Sequence, residues 1–154
     1  MNLNLGCSDR AVPDFVGVDI APGPCVDQIA DLSLRWPWDE NSVDEVKAFD
    51  IIEHIADRIH FMNELHRVLR PGGQAHIEVP NSTKGAGFAQ DPTHVSHWCM
   101  NSFQYFRAGS FAHQRLSKAY GITAAFHVLE LSERMYQDEF EEVWKITAIL
   151  ETVK

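Results

Sequence analysis

Positive charge is what this chain has least of. Thirteen Lys and Arg stand against 22 Asp and Glu, a formal net charge of −9. Tracking a phosphate backbone needs a basic surplus, so the balance argues against nucleic acid as a partner. It leaves room for a local basic groove or a small cationic ligand. Cysteine is scarce: Cys7, Cys25 and Cys99 are odd in number and form no C-x-x-C pair. That excludes a disulfide framework and reads as a reduced, cytoplasmic protein. No apolar run approaches the roughly 18 residues of a membrane-spanning helix, so no membrane association is expected. The first strand begins directly after Met1 and leaves no room for a signal peptide. No G-x-G-x-x-G follows that strand, which disfavours a nicotinamide-dependent enzyme.

What is present suffices for one domain, 1–154. The chain has 154 residues, 45% of them hydrophobic, with aromatics in every region. It can bury a real core. Leu3-Asn4-Leu5-Gly6-Cys7-Ser8 reads as a strand and a glycine turn. Val16-Gly17-Val18-Asp19 reads as a second strand ending in a carboxylate. Gly6 allows close approach of backbone to a ligand. Asp19 can accept two hydrogen bonds from a vicinal diol such as a ribose. A structural turn accounts for Gly6 as well.

About eight residues separate these strands, where a parallel crossover usually takes a dozen or more. A truncated crossover is the favoured reading. After the breaker Ala21-Pro22-Gly23-Pro24, residues 25–30 form a short third strand, followed by Asp31. Trp36-Pro37-Trp38 sits in a loop, either as core plugs or as a ligand wall. Residues 43–49 are the fourth strand, then comes a helical turn at 50–55. Asp57 is a plausible N-cap, and Ile59, Met62, Leu65 and Leu69 give the next helix one apolar face, with Glu64, His66 and Arg67 off it. Pro71-Gly72-Gly73 stops it.

Residues 74–80 are the fifth strand. Residues 81–101 read as a long irregular loop, of the kind that is usually functional. A helical turn at 102–106 and a helix at 110–120 follow. Residues 122–131 and 143–153 read as an antiparallel strand pair joined by the acidic 132–142 segment. Strands one, four and five each have a polar side: Asn2 and Asn4; Glu45 and Lys47; Gln74, His76 and Glu78. A strand covered on both faces would read as continuously apolar. One sheet face has therefore lost part of its helical cover, and a homodimer partner is one way to cover it.

The succession LNLGCS, VGVDI, ADL before a WPW loop, SVDEVKAFDIIEHI and ELHRVLRPGGQAHIEVPN resembles the class I S-adenosylmethionine-dependent methyltransferases, of the small methyltransferase-domain type. The match covers residues 3–81. It implies an α/β, Rossmann-like, mostly parallel sheet with a C-terminal antiparallel strand pair, here truncated at the N-terminus and in the first crossovers. It implies S-adenosyl-L-methionine as cofactor. Gly6 with the Cys7 and Ser8 backbone would lie under its methionine part. Asp19 would hold the ribose with Ile20 beside the adenine. Asp31 would take the adenine amino group and Leu32 a ring nitrogen. Phe49 and Asp50 would border the methionine moiety. The family's second glycine is replaced, since Ser8 and Asp9 stand there.

Methyl transfer is an in-line displacement that needs alignment and, at times, a base. His94 is the first candidate base, with Asp91 or His97 near it. In the plain alternative, Asp91-Pro92 opens a turn and His94 caps a backbone carbonyl. Asp91, His94, His97 and Cys99 carry metal-ligand atoms, but their spacing matches no zinc pattern, so no metal is expected. Glu53-His54 either reaches substrate or holds the helix start to the loop. Cys7 is a packing residue, and His60, His66 and His113 are surface positions. The expected function is methyl transfer to a small-molecule or sugar-like acceptor. The alternative is a non-catalytic binding or interaction module of the same fold.

Overall fold

The computed structural model describes residues 1–137 and 142–154. Its strands are β1 (Asn2–Leu5), β2 (Val16–Asp19), β3 (Gln28–Ile29), β4 (Val43–Phe49), β5 (Leu69–Gly85), β6 (Phe126–Gln137) and β7 (Glu142–Thr152). They form one sheet in the order β3-β2-β1-β4-β5-β7-β6. The first five strands are mutually parallel, and β7 runs antiparallel between β5 and β6. This is the Rossmann-like sheet with a C-terminal antiparallel pair that the sequence leads one to expect.

Both early crossovers are clipped, as their length requires. Residues 6–15 and 20–27 contain no helix. The second return packs directly on β2. A Cβ on Gly17 would stand 1.9 Å from the Cys25 carbonyl oxygen, so only glycine admits this path.

The helix α1 (Arg58–Val68) starts where Asp57 accepts from the His60 amide at 2.8 Å. Phe61, Met62, Leu65 and Val68 bury one face against Leu3, Val46, Ala75 and Ile77 of the sheet. Three sequence expectations are corrected here. Leu69 lies beyond the helix and pairs with Val43 as part of β5. Glu64, predicted off the buried face, is itself buried, held by Arg67 and the Trp36 amide. His66 is half-buried too, its Nε2 bonded to the Val153 carbonyl. Trp36 and Trp38 are core plugs, 1% and 7% exposed.

The third strand is only Gln28–Ile29 of the expected 25–30, and β6 starts at Phe126 and not at 122, but β5 and β6 run on past their expected ends. β5 continues through 81–85, which the sequence assigns to a loop, and β6 continues through 132–137, which it assigns to a connection. Polar side chains hide both extensions, because an edge or half-covered strand has no apolar alternation to display. The rest of that connection, 138–141, lies outside the described residues. A 3-10 turn at Met100–Tyr105 and α2 (Phe111–Tyr120), capped by Ser110, complete the chain.

The sheet's second face is the polar one. Across the register, Glu45, Gln74 and Glu151 lie in one row, and Lys47, His76 and Ile149 in the next, all half-buried. Among the described residues α1 and α2 are the only α-helices. The first covers the apolar face and the second buries no residue. Asn4 departs from the expectation. It is 4% exposed because its side chain donates to the Arg10 carbonyl and the loop after β1 lies over it.

Candidate active site

The parallel strands β1, β2 and β3 release their chain at the same edge of the sheet, where open α/β folds bind ligands. There, Gly6, Asp19, Ile20, Asp31, Leu32 and His54 line a cavity of about 130 Å³. Ala30, Ile51 and Ile55 complete its wall. Five predicted cofactor residues thus meet in one place. Ile51 and Ile55 escaped sequence reading because an isoleucine in a helical turn looks like core.

Gly6 turns the chain with φ +65°. Its close neighbour is the Ile51 side chain, since a Cβ at Gly6 would stand 2.7 Å from Ile51 Cβ. The Asp19 carboxylate is oriented by backbone. Oδ2 accepts from the Ser8 amide at 2.9 Å and Oδ1 from the Ile20 amide at 2.7 Å. Oδ1 also takes the Ala21 amide at a long 3.5 Å, while Oδ2 keeps a further lone pair for a diol hydroxyl. Asp31 takes both the Ser33 amide and hydroxyl on Oδ1, which holds its carboxyl below the usual range and leaves Oδ2 its lone pairs.

The other predicted contacts are placed differently. Cys7 is buried, and its thiol donates to the Cys25 carbonyl at 3.2 Å. Burial, with Asp19 nearby, pushes that thiol up, so Cys7 is a packing residue. Ser8 enters only through its amide. Phe49 and Asp50 are not in the cavity wall. Asp50 has φ +53°, and its Oδ2 pairs with Lys145 at 2.6 Å and Arg10 at 3.7 Å. Its Oδ1 is buried without a partner, a free acceptor beside the cavity-lining Ile51.

A second group assembles where the loop after β5 folds back over the 3-10 turn Ile52–His54. The Glu53 carbonyl accepts from the Val95 and Ser96 amides, which fastens loop to turn. His94 lies with Nε2 3.7 Å from both Asp91 Oδ2 and Glu53 Oε1. Its Nδ1 donates to the Phe88 carbonyl at 2.9 Å, so Nε2 keeps the lone pair. Thr93 donates its hydroxyl proton to Asp91 and therefore accepts from His54 Nδ1 at 3.1 Å. Asp91 is thereby held below the usual carboxylate range. Glu53 is fully buried, and both carboxylate oxygens lack a hydrogen-bond donor. Burial raises its pKa to about 7. His97 takes no part, since its ring packs on Phe88.

These features agree with the comparisons to known proteins. A family profile described as a methyltransferase domain matches residues 6–77. That stretch is a little under half of the chain, and over it the chain is similar to methyltransferase domains. A probable S-adenosylmethionine-dependent methyltransferase of Mycolicibacterium smegmatis is 47% identical over 45 residues, which make up 29% of this chain and 18% of that protein. The matched stretch is thus under a fifth of the curated relative's length. Among solved structures, a SAM-dependent methyltransferase from Methanosarcina mazei superposes with a TM-score of 0.65 at 10% identity, over 99% of this chain and 92% of its own. The 1,6-didemethyltoxoflavin-N1-methyltransferase of Burkholderia thailandensis, solved with that acceptor and S-adenosylhomocysteine, gives 0.64 at 12% identity, over 99% and 71%. At such identities the likeness is one of fold. The methyltransferase cofactor has a chemically suitable cavity here: two oriented carboxylates for hydroxyl and amino donors, with Ile20, Leu32, Ile51 and Ile55 as apolar wall. No helix among the described residues is long and apolar enough to cross a membrane.

Proposed function

We propose that this methyltransferase domain moves the methyl group of S-adenosylmethionine to a small-molecule acceptor. The observation that carries the reading is the meeting of Asp19, Asp31, Gly6, Ile20 and Leu32 on one cavity at the strand ends. The cofactor brings the electrophile and its own leaving group. The chain's task is to bind, orient and exclude water. Asp19 would hold the ribose diol, and Asp31 with Leu32 the adenine edge. Asp50, paired with Lys145 and Arg10 and lying outside the cavity wall, would be reached only by the methionine end. A net charge of −9 favours a small acceptor over a nucleic acid. His94, with Asp91 beside it, would take a proton at Nε2 from a hydroxyl acceptor.

Calorimetry with S-adenosylmethionine and S-adenosylhomocysteine tests this. Binding should be micromolar in the wild type. It should fall at least about tenfold in Asp19→Ala and in Asp31→Ala, the loss of one or more charge-assisted hydrogen bonds. Unchanged affinity in both variants would remove the site assignment. One observation favours a second reading, a non-catalytic module: Ile51 overhangs Gly6 and narrows the cavity. Failure to bind at millimolar ligand would favour that module.

A further inference from the structure

We propose that Glu53, His54 and His94 form a binding site for one first-row divalent transition-metal ion, of the class taken by two imidazoles and a carboxylate. Each residue offers a ligand atom, and these atoms lie within 4.8 Å of one another. The inference stands on this cluster and not on methyl transfer.

Independent features converge on an ion. The Glu53 carboxylate is fully buried with no donor on either oxygen. Such a group is costly unless paired or bound to a metal. His94 stands beside it at ion-pair distance but gives it no hydrogen bond. At 3.7 Å the Nε2–Oε1 separation is too long for a hydrogen bond. Two lone-pair groups therefore face one gap. Both imidazoles are also already set as ligands are in metal sites. His94 Nδ1 is tied to the Phe88 carbonyl, and His54 Nδ1 to the Thr93 hydroxyl, itself tied to Asp91. Such outer bonds fix tautomer and ring orientation. An ion about 2.0–2.2 Å from each atom would draw them to about 3.3 Å apart, a shift below about 1 Å per side chain.

The sequence hides this site because Glu53 and His54 are about forty residues from His94 in the chain. The loop after β5 brings them together, and it leaves out His97 and Cys99, the donors that sequence proximity suggests. The location gives the ion a task. His54 belongs both to the cluster and to the cavity wall. Three protein ligands leave coordination positions open, and an acceptor oxygen bound there would sit beside the cofactor. With the ion in place, His94 Nε2 is a ligand and no longer a base.

The test uses chelator-stripped full-length chain without cofactor. Titration with Zn²⁺ should show a single site, and Co²⁺ should give visible ligand-field bands without sulfur charge-transfer absorption. His94→Ala and Glu53→Gln should each weaken Zn²⁺ binding by about tenfold or more. His97→Ala and Cys99→Ser should leave it unchanged. Circular dichroism of Glu53→Gln, which keeps the side chain's shape, separates loss of ligand from loss of fold. Absence of saturable Zn²⁺ binding, a sulfur-to-cobalt band, or binding indifferent to His94 and Glu53 would each overturn the proposal. Because no cofactor is present, these outcomes are independent of the S-adenosylmethionine titrations.

Discussion

Gly6 shows how one residue shapes the cavity at the strand ends and how little of that is visible in sequence. Its place after the first strand invites the expectation of a ligand close to bare backbone. Its φ of +65°, and the 2.7 Å at which an added Cβ would meet Ile51, say in addition that the turn is packed against that side chain. Gly6→Ala therefore meets two penalties, a left-handed backbone and an overpacked contact. Together they should cost about 2–4 kcal/mol in urea unfolding. A double-mutant cycle with Ile51→Gly should show coupling of about 1 kcal/mol or more. Additivity in that cycle would mean that the contact does not carry the cost. Asp19 and Asp31 were legible because a carboxylate at a strand end needs no distant partner. Asp50 was legible as a position but not as chemistry. Its ion pairs with Lys145 and Arg10 arise from β7 and the clipped crossover, which no local pattern announces.

At the scale of elements, α1 is held to the tryptophan loop by polar bonds inside an apolar setting. Glu64 accepts from Arg67 at 2.7 Å and from the Trp36 amide at 2.7 Å, while the Arg67 fork also donates to the Trp36 and Trp38 carbonyls. Helical spacing made the helix readable. It placed Glu64 on the wrong side because a loop, and not solvent, covers that face. Arg67→Met keeps the stem and strands the carboxylate, and it should cost about 2–3 kcal/mol by chemical denaturation. Acid should act here as well. Bonding to Arg67 holds the Glu64 carboxyl below its ordinary value despite partial burial. Its contribution is complete above the unfolded carboxylate range and is lost as pH falls through the lower folded value. Burial depresses His66, so its loss begins higher, as pH drops below about 6.5. Buried Glu53 acts in the opposite sense, adding stability as pH falls from its raised value of about 7 toward the ordinary carboxylate range. On a Glu53→Gln background, denaturation midpoints measured from pH 7 to 3 should therefore fall in two stages. Glu64→Gln should flatten only the stage below about pH 4.5. A single stage unaffected by that variant would assign the acid response elsewhere.

At the scale of the whole molecule, the two halves of the sheet are secured differently. β5, β7 and β6 share long antiparallel ladders, whereas β2 pairs through three residues on one side and two on the other. With no crossover helix over residues 6–15 or 20–27, the β2–β3 edge relies on turns and on Asp19 and Asp27 bonding to backbone amides. The cavity proposed for the cofactor lies on this weaker half. Short-range patterns made the topology readable, but this asymmetry depends on pairing lengths that the polar ends of β5 and β6 concealed. A ligand that bridges Gly6, Asp19 and Asp31 would stitch the edge together. At about one hundred times its Kd, S-adenosylhomocysteine should add about 2.7 kcal/mol to stability, or about 5–10 °C in Tm. Hydrogen exchange should locate the gain. Amides of β2, β3 and the turn after β1 open locally in the free protein and should slow markedly with ligand, while those central to β7 already exchange by global unfolding and should follow only the rise in total stability. Asp19→Ala should abolish the slowing in β2 and β3 while leaving β7 as in the free protein. Equal slowing of every strand from the start would mean that the sheet opens as a single unit.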